Sequence, residues 1–205
     1  MTNTRDLLFW GSTSYSTLSK ATILFIGITP ITAECLQRLI SCGISHFRIY
    51  SSSSTHGIRV ESLLQQYPQI DIQTISSLST SYDCVILSHI STSQLDPDSL
   101  SSAPIILLLS EQATHYSIHT FCNQYTLQTI PEDDTSAFCR KNEQEWEWKS
   151  PSFKQQFPSF LQQSPSHSQG DFESICFIAS ILAQECCKLL SHVGVPTPVM
   201  VIQTM

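Results

Sequence analysis

Two histidines and one cysteine have the residue types and spacing that could do chemistry. His115 and His119 are four residues apart, so on a helix they would share a face and could give two ligands to a metal ion. No third ligand lies nearby, and a surface pair is the simpler interpretation. Cys139 lies in a polar stretch beside Arg140 and Lys141, which favour a thiolate slightly. We interpret this thiol as incidental, because a nucleophile needs a stronger activating group.

The same polar region contains three carboxylates and two tryptophans. Paired carboxylates can do acid–base work, but the run Glu132, Asp133 and Asp134 is typical of a solvated turn. Trp146 and Trp148 alternate with charged residues. They either anchor a partner, since tryptophan is enriched at binding hot spots, or hold this segment against the domain.

Eight cysteines are present, and none has CxxC spacing, so zinc-ribbon and thioredoxin-like sites are not supported. Most lie in apolar runs, where a free cysteine behaves as a small buried hydrophobe. Cys186 and Cys187 are adjacent in a predicted helix, where successive side chains point about 100° apart, so at most one should face the core squarely. These features predict reduced thiols, a packing role for this pair, and an intracellular compartment.

A glycine-poor turn follows the first predicted strand, at the place where nucleotide-binding folds hold phosphate. Such a turn needs glycines, because the backbone N–H groups must approach the phosphates at the helix N-terminus. In the segment FIGITPITAE, Gly27 fits the first glycine, but Pro30 and Thr32 replace the second and third. Pro30 also removes a donor, and its ring stands where a phosphate would lie. Tyr50 and Ser51 occupy the end of the second strand, where an acidic residue should bind the ribose.

The elements around this turn predict an α/β fold: a doubly wound, mostly parallel Rossmann-like sheet. A buried strand, an amphipathic helix ending near Gly43 and a second strand form a βαβ unit. Buried strands are predicted at 21–27, 83–89 and 103–109, further strands at 46–50, 70–75 and 125–130, and helices at 58–67 and, shorter, at 115–123.

The C-terminal part predicts a loop-rich insertion followed by a return to order. Residues 131–170 are polar and rich in proline, so we expect an insertion outside the core. A helix capped by Asp171 and ended by Gly194 should follow, with an apolar stripe at helical spacing, and then a strand at 199–204. The stripe comprises Phe172, Ile175, Cys176, Ala179, Leu182, Ala183, Cys186, Leu189 and Leu190. The length of 205 residues fits one domain, 1–205, containing this insertion.

Composition excludes several classes of function. The net charge is −7 and no Lys/Arg cluster is present, which argues against a nucleic-acid or anionic-membrane partner. No apolar run approaches the roughly 20 residues of a transmembrane helix, and the N-terminus is unlike a signal peptide. We therefore expect a soluble protein of the cytosol or nucleus.

Four segments together resemble the ThiF-related superfamily of ubiquitin-like-modifier activating enzymes. RDLLFWG at 5–11 is similar to the family's opening Y-D-R-Q-I-R-L-W-G, and residues 23–50 match its strand–helix–strand pattern. Residues 59–72 look like its helix ending in L-N-P and the following short strand. ILAQECCK at 181–188 is similar to I-L-A-Q-E-V-I-K near its C-terminus. By these four segments the chain most closely resembles the smaller, non-catalytic subunit, and the SUMO-type regulatory subunit first, whereas the two lost glycines depart from the family's common pattern.

The resemblance implies an inactive adenylation domain in a heterodimer, that is, a pseudoenzyme in the nucleus and cytoplasm. A larger catalytic subunit would hold ATP and magnesium and adenylate the modifier, which the smaller subunit would meet only indirectly. No cofactor is expected in this chain. Arg5 matches the family's N-terminal arginine, which reaches in trans toward the partner's ATP phosphates, a task suited to a guanidinium.

Two alternatives stay open. One is the regulatory subunit of the Rub (neddylation) activating enzyme, which normally carries a larger insertion than 131–170. The other is a stand-alone Rossmann-like enzyme that uses a nucleotide or S-adenosylmethionine in a non-standard way. Tight nucleotide binding by the isolated chain would favour this second alternative.

Overall fold

A computed structural model describes most of the chain. The described residues are 4–50, 62, 65–78, 82–88, 95–100, 102–111, 115–123, 126–127, 138–140, 146–148, 153, 155, 157, 171–193 and 195–203. At 4–10, 97, 126–127, 138–140 and 146–148 the description covers the backbone alone.

Ten strands and four helices have defined bounds in the described residues, and residues 62, 65, 66, 153, 155 and 157 are helical as well. The strands are β1 (Thr22–Ile26), β2 (His46–Tyr50), β3 (Asp71–Ile75), β4 (Cys84–Ser88), β5 (Ile105–Glu111), β6 (His115–Cys122), β7 (Thr126–Leu127), β8 (Phe138–Arg140), β9 (Trp146–Trp148) and β10 (Val199–Gln203). The helices are α1 (Thr4–Lys20), α2 (Pro30–Ser41), α3 (Pro97–Leu100) and α4 (Phe172–Leu190).

Seven strands form one sheet in the order β10-β6-β5-β4-β1-β2-β3. The five from β3 to β5 in this order run parallel, whereas β6 and β10 are antiparallel to their neighbours. Buried apolar runs such as CVILS of β4 are what a parallel strand covered on both faces requires. The predicted α/β, doubly wound and mostly parallel sheet is confirmed.

Alternate side chains of the central strands enter two cores. Ile23 and Phe25 of β1 face the core that α2 and α4 cover, and Leu24 and Ile26 face the other. This second core includes Leu100 of α3. The βαβ unit forms as predicted, and Gly43 ends its helix with a φ of 94°.

The helix predicted at 115–123 is wrong, because this segment is strand β6. Tyr116, Ile118 and Thr120 are buried at alternate positions, which is the period of a strand. Antiparallel pairing with both β5 and β10 fixes that conformation. Sequence spacing of four was a weak guide here, because a strand also places residues i and i+4 on one face.

The region after β6 differs from its prediction in two ways. Within the strand expected at 125–130, the described residues Thr126–Leu127 form β7, which joins β8 and β9 in a separate three-stranded sheet, and the others lie outside the description. The prediction that 131–170 lies outside the core is wrong at Phe153 and Phe157. Both are buried, with ring centroids 4.9 Å apart, and Phe153 also contacts Phe121 of β6 edge-on at 5.3 Å. These two phenylalanines are buried because their side chains are large and apolar, although the segment around them is polar.

The C-terminal helix and strand are confirmed, with local corrections. Asp171 caps α4 by accepting a hydrogen bond of 2.7 Å from the N–H of Ser174. Phe172 does not join the predicted stripe, since 75% of its surface is exposed. The helix ends with Ser191 as its cap. Gly194, which was predicted to end it, lies outside the described residues. Most of the helix predicted at 58–67 also lies outside them. Within the described part of the chain, no helix is long and apolar enough to span a membrane.

Candidate functional site

The candidate site is the crevice at the carboxyl ends of β1 and β4. From β1 the chain builds β2 and β3 on one side, and later β4 and β5 on the other. The strand order therefore reverses between β1 and β4, and doubly wound sheets bind ligands at this reversal.

A hydrogen bond crosses this crevice. The Ser88 hydroxyl, at the end of β4, donates to the carbonyl of Gly27, directly after β1, at 2.9 Å. The N–H of Gly27 donates to the carbonyl of Tyr50 at the end of β2, at 3.3 Å. Gly27 has a φ of 79°, which explains a glycine at this turn. The turn is thus held to strands on both sides.

The N-terminus of α2 is capped by its own side chains. The N–H of Thr29 donates to Oγ1 of Thr32 at 2.8 Å, and the N–H of Thr32 donates to Oγ1 of Thr29 at 3.4 Å. This is a capping box built from two threonines. Pro30 begins the helix and has no N–H to offer. Two of the amides that would face a phosphate therefore already have intramolecular acceptors.

Most residues of the capped turn are buried in the domain. Thr32 is fully buried, and Ile28 and Thr29 are buried around it. Oγ1 of Thr32 also lies 3.2 Å from the carbonyl of Thr29, so the hydroxyl is satisfied locally. Of the two residues that replace glycines, Thr32 lies in the interior and Pro30 is exposed at the start of α2. Ser51, the other departure from the nucleotide pattern, lies outside the described residues.

The other candidate residues do not assemble at this crevice in the described part of the chain. The side chain of Arg5 lies outside the description, and only its backbone is placed, in α1. His115 and His119 lie on strand β6, so their Cα atoms are roughly 13 Å apart at about 3.3 Å per residue. The two histidines therefore do not form the pair of metal ligands that a helix would have placed on one face. No cluster of three or more potential metal ligands occurs among the described residues.

Further candidates in the polar region stay untested. Glu132, Asp133 and Asp134 lie outside the described residues. The backbone places Cys139 in β8 and Trp146 and Trp148 in β9.

The cysteine pair in α4 is buried at both positions, contrary to the prediction that one at most would face the core. Sγ of Cys186 lies 3.6 Å from Sγ of Cys84 in β4, and this contact together with burial raises the pKa of Cys186. A hydrogen bond with Cys42 and burial raise the pKa of Cys187. Both thiols are buried because α4 packs against the sheet, where Cys186 meets Cys84, and against the end of α2, where Cys187 meets Cys42.

Two buried polar residues at the ends of β4 and α4 were missed from sequence. Ser88, already described, ends an otherwise apolar strand, and that was its only signal. Glu185 is only 4% exposed; it accepts a hydrogen bond of 2.9 Å from the N–H of Thr197 and pairs with Lys188. A carboxylate inside the apolar run ILAQECC was the available signal. The hydrogen bond from Thr197 to Glu185 holds the segment that leads into β10 against α4.

An open cavity of about 530 Å³ lies at the opposite, amino end of the sheet. Lys20, Asp83, Asn123 and His192 contribute its polar walls. Asp83 accepts a hydrogen bond of 2.7 Å from the N–H of Thr22, and the Asn123 amide donates to the carbonyl of Ala103 at 2.9 Å. These side chains therefore brace the strand ends around the cavity.

The sheet order and the strand–turn–helix at its switch point define a doubly wound α/β protein whose fold is shared with solved structures of other proteins. MccB of E. coli has this fold: one of its structures matches with a TM-score of 0.62 at 12% identity, over 98% of this chain and 66% of MccB. The structure of MccB with ATP matches with a TM-score of 0.64 at 11% identity, over 98% and 68%. PaaA matches with a TM-score of 0.58 at 10% identity, over 94% and 64%.

The likeness concerns the fold alone at these identities, and the chain spans about two thirds of the length of these proteins. No protein-family model and no curated protein matches the sequence.

Proposed function

We propose that this chain is a nucleotide-free subunit of an ATP-dependent adenylating complex, and that a larger partner supplies the ATP site. One observation carries the proposal: the turn between β1 and α2 is closed by its own residues. Thr29 and Thr32 cap each other at 2.8 Å and 3.4 Å, Pro30 lacks an N–H, and Ser88 bonds across the switch point at 2.9 Å. A phosphate would have to displace these bonds, and an anion site depends on free N–H groups.

The finer proposal is the regulatory subunit of a SUMO-type modifier-activating enzyme, working in the nucleus and cytoplasm. Support comes from the similarity of RDLLFWG and ILAQECCK to that family and from the fold shared with MccB. In this arrangement the partner binds ATP and magnesium, and Arg5 reaches across the dimer to the phosphates. The Rub-type counterpart differs in the modifier that its partner activates, and the same partner search distinguishes the two.

Co-purification tests the complex. The full chain is tagged in its native cell, and the proteins recovered with it are identified by mass spectrometry. A larger chain with an intact glycine-containing adenylation site is expected. Recovery of no adenylating chain would contradict the proposal, and the modifier that the recovered partner adenylates would separate SUMO-type from Rub-type.

Calorimetric titration of the isolated chain with MgATP tests the stand-alone alternative. No saturable heat is expected up to about 1 mM ATP, which corresponds to a binding free energy weaker than about −4.1 kcal/mol. Micromolar binding would favour a nucleotide-dependent enzyme with an unusual site.

Arg5 is tested in the reconstituted complex. Arg5→Ala should leave the complex assembled and slow modifier adenylation by roughly 10²-fold or more, because a donor to developing phosphate charge is lost. Arg59→Ala is the matched control, because it removes an arginine that lies outside the segment RDLLFWG. Unchanged adenylation with Arg5→Ala would assign Arg5 to the surface.

A further inference from the structure

Among the described residues, six cysteines lie in the core that α2 and α4 cover: Cys35, Cys42, Cys84, Cys122, Cys186 and Cys187. Two pairs of these thiols are in contact. Sγ of Cys186 lies 3.6 Å from Sγ of Cys84, and the side chains of Cys42 and Cys187 share a hydrogen bond. Two thiols in contact are the starting arrangement for a disulfide, because one sulfur must reach the other to form the bond.

The two pairs differ in their access to solvent. Cys84 and Cys186 are both completely buried. In the other pair Cys187 is completely buried, whereas Cys42 is partly exposed at the end of α2. The oxidation of a thiol depends on its exposure, so an oxidant dissolved in water reaches Cys42 before it reaches the other three.

Backbone hydrogen bonds hold both members of the Cys42–Cys187 pair in place. Cys42 caps α2, and its N–H donates to the carbonyl of Arg38 at 3.0 Å. Cys187 lies within α4, and its carbonyl accepts from the N–H of Ser191 at 2.9 Å. Because both residues are fixed by their helices, Cys187 is presented to Cys42 at a high effective concentration. A reactive group formed on Cys42 therefore meets Cys187 before it meets a second molecule of oxidant.

We propose that Cys42 and Cys187 are a redox-sensitive pair, which hydrogen peroxide oxidises to a disulfide between α2 and α4. In the first step the Cys42 sulfur attacks one oxygen of the peroxide and the O–O bond breaks. Cys42 becomes a sulfenic acid, and the other oxygen leaves as water. In the second step the Cys187 sulfur attacks the Cys42 sulfur, the S–O bond breaks, and a second water carries away the Cys187 proton. Two thiols and one hydrogen peroxide thus give one disulfide and two water molecules.

The disulfide would join the C-terminal end of α2 to α4 and prevent these helices from separating. A dithiol reductant reverses the bond by thiol–disulfide exchange, so the link follows the redox state of the surroundings. The pair belongs to this chain alone and does not depend on an adenylating partner. Its failure would leave the proposed function intact, and the reverse also holds.

Peptide mapping of the oxidised chain tests the pair. The full, reduced chain is incubated with excess hydrogen peroxide, the peroxide is removed, and the remaining thiols are blocked with iodoacetamide in denaturant. Mass spectrometry of the unreduced digest should find a peptide joined through Cys42 and Cys187. That peptide should disappear when the oxidised chain is treated with dithiothreitol before blocking. Cys84 and Cys186 should remain reduced, although their sulfur atoms are also in contact.

Substitutions identify the thiol that reacts first. Cys42→Ser should lower the oxidation of Cys187 by about 10-fold or more, because the buried thiol loses the partly exposed thiol through which it is oxidised. Cys176→Ser is the matched control, since it removes a partly exposed thiol of α4; it should leave the yield of the disulfide unchanged. In Cys187→Ser the sulfenic acid on Cys42 should persist and be trapped by dimedone.

Several outcomes of the same mapping would overturn the proposal. One is a Cys42 that stays reduced in excess peroxide, and another is a Cys42 that passes to sulfinic acid in the wild type without forming the disulfide. A disulfide between Cys84 and Cys186 that forms first would show that solvent access does not select the pair. A disulfide that joins two chains through Cys42 would show that Cys187 is not its partner.

Discussion

The backbone N–H of Thr29 lies 2.8 Å from the hydroxyl oxygen of Thr32, three residues later in the first turn of α2. In a phosphate-binding βαβ unit this turn presents its N–H groups to a ligand. Here the turn is completed by a side chain from the same helix. The relationship makes the helix N-terminus stable without a ligand.

The Thr32 hydroxyl should contribute measurably to the free energy of unfolding. Thr32→Val keeps the shape but removes the acceptor, so the buried N–H of Thr29 loses its hydrogen bond to the hydroxyl oxygen. An unsatisfied buried donor costs about 1–3 kcal/mol. Urea denaturation would measure the loss. Thr32→Ser keeps the hydroxyl and should lose less than Thr32→Val; equal losses would mean that the capping bond contributes little.

Phe157 should be essential to the second core despite its polar surroundings. Its side chain is 1% exposed and lies against Phe153. Phe157→Ala should lower the free energy of unfolding by about 3–5 kcal/mol, through lost transfer energy and a new cavity. Phe172→Ala removes the same group from a site that is 75% exposed, and should change stability by less than about 0.5 kcal/mol. Equal effects of the two substitutions would contradict the described packing.

His119 should make stability depend on pH. Burial lowers the pKa of His119 below its ordinary value of 6.5, so the folded chain favours the neutral ring. As pH falls below about 6.5, the unfolded chain takes up this proton first, and stability should therefore fall with acidification. His119→Gln should reduce the loss of stability between pH 7.5 and pH 5.5, measured by thermal unfolding.

The matched control is His115→Gln, because His115 is exposed on the same strand. It should leave the pH dependence close to that of the wild type. If both substitutions have the same effect, burial of His119 is not the cause.

Buried thiols should resist alkylation in the native state. Burial raises the pKa of Cys35 and brings that of Cys122 to about 12, so the reactive thiolate is scarce at neutral pH. Iodoacetamide labelling followed by mass spectrometry should modify Cys176, which is partly exposed, before Cys35, Cys122 and Cys186. All eight cysteines should react in denaturant. Early modification of Cys186 would show that the contact between α4 and the sheet opens readily.

The sequence by itself determined the central parallel sheet and the absence of the usual phosphate loop. Continuous apolar runs such as ILFI and CVIL can only be buried on both faces, and Pro30 lacks an N–H in any fold. These features are local, because they follow from residue type and short-range periodicity. The capping role of Asp171 was equally predictable, since it depends on the N–H of Ser174 three residues away.

The tertiary structure decided everything that depends on distant residues. Segment 115–122 is a strand because β5 and β10 pair with it, and β10 is about eighty residues away in sequence. Phe153 packs against Phe121 of β6, and Phe157 packs against Phe153. Cys186 meets Cys84 of the sheet, and Cys187 meets Cys42 at the end of α2. The closing bond from Ser88 to Gly27 joins residues 61 positions apart. Such contacts have no local signature, because the partner that satisfies each group is chosen by the packing of the whole sheet.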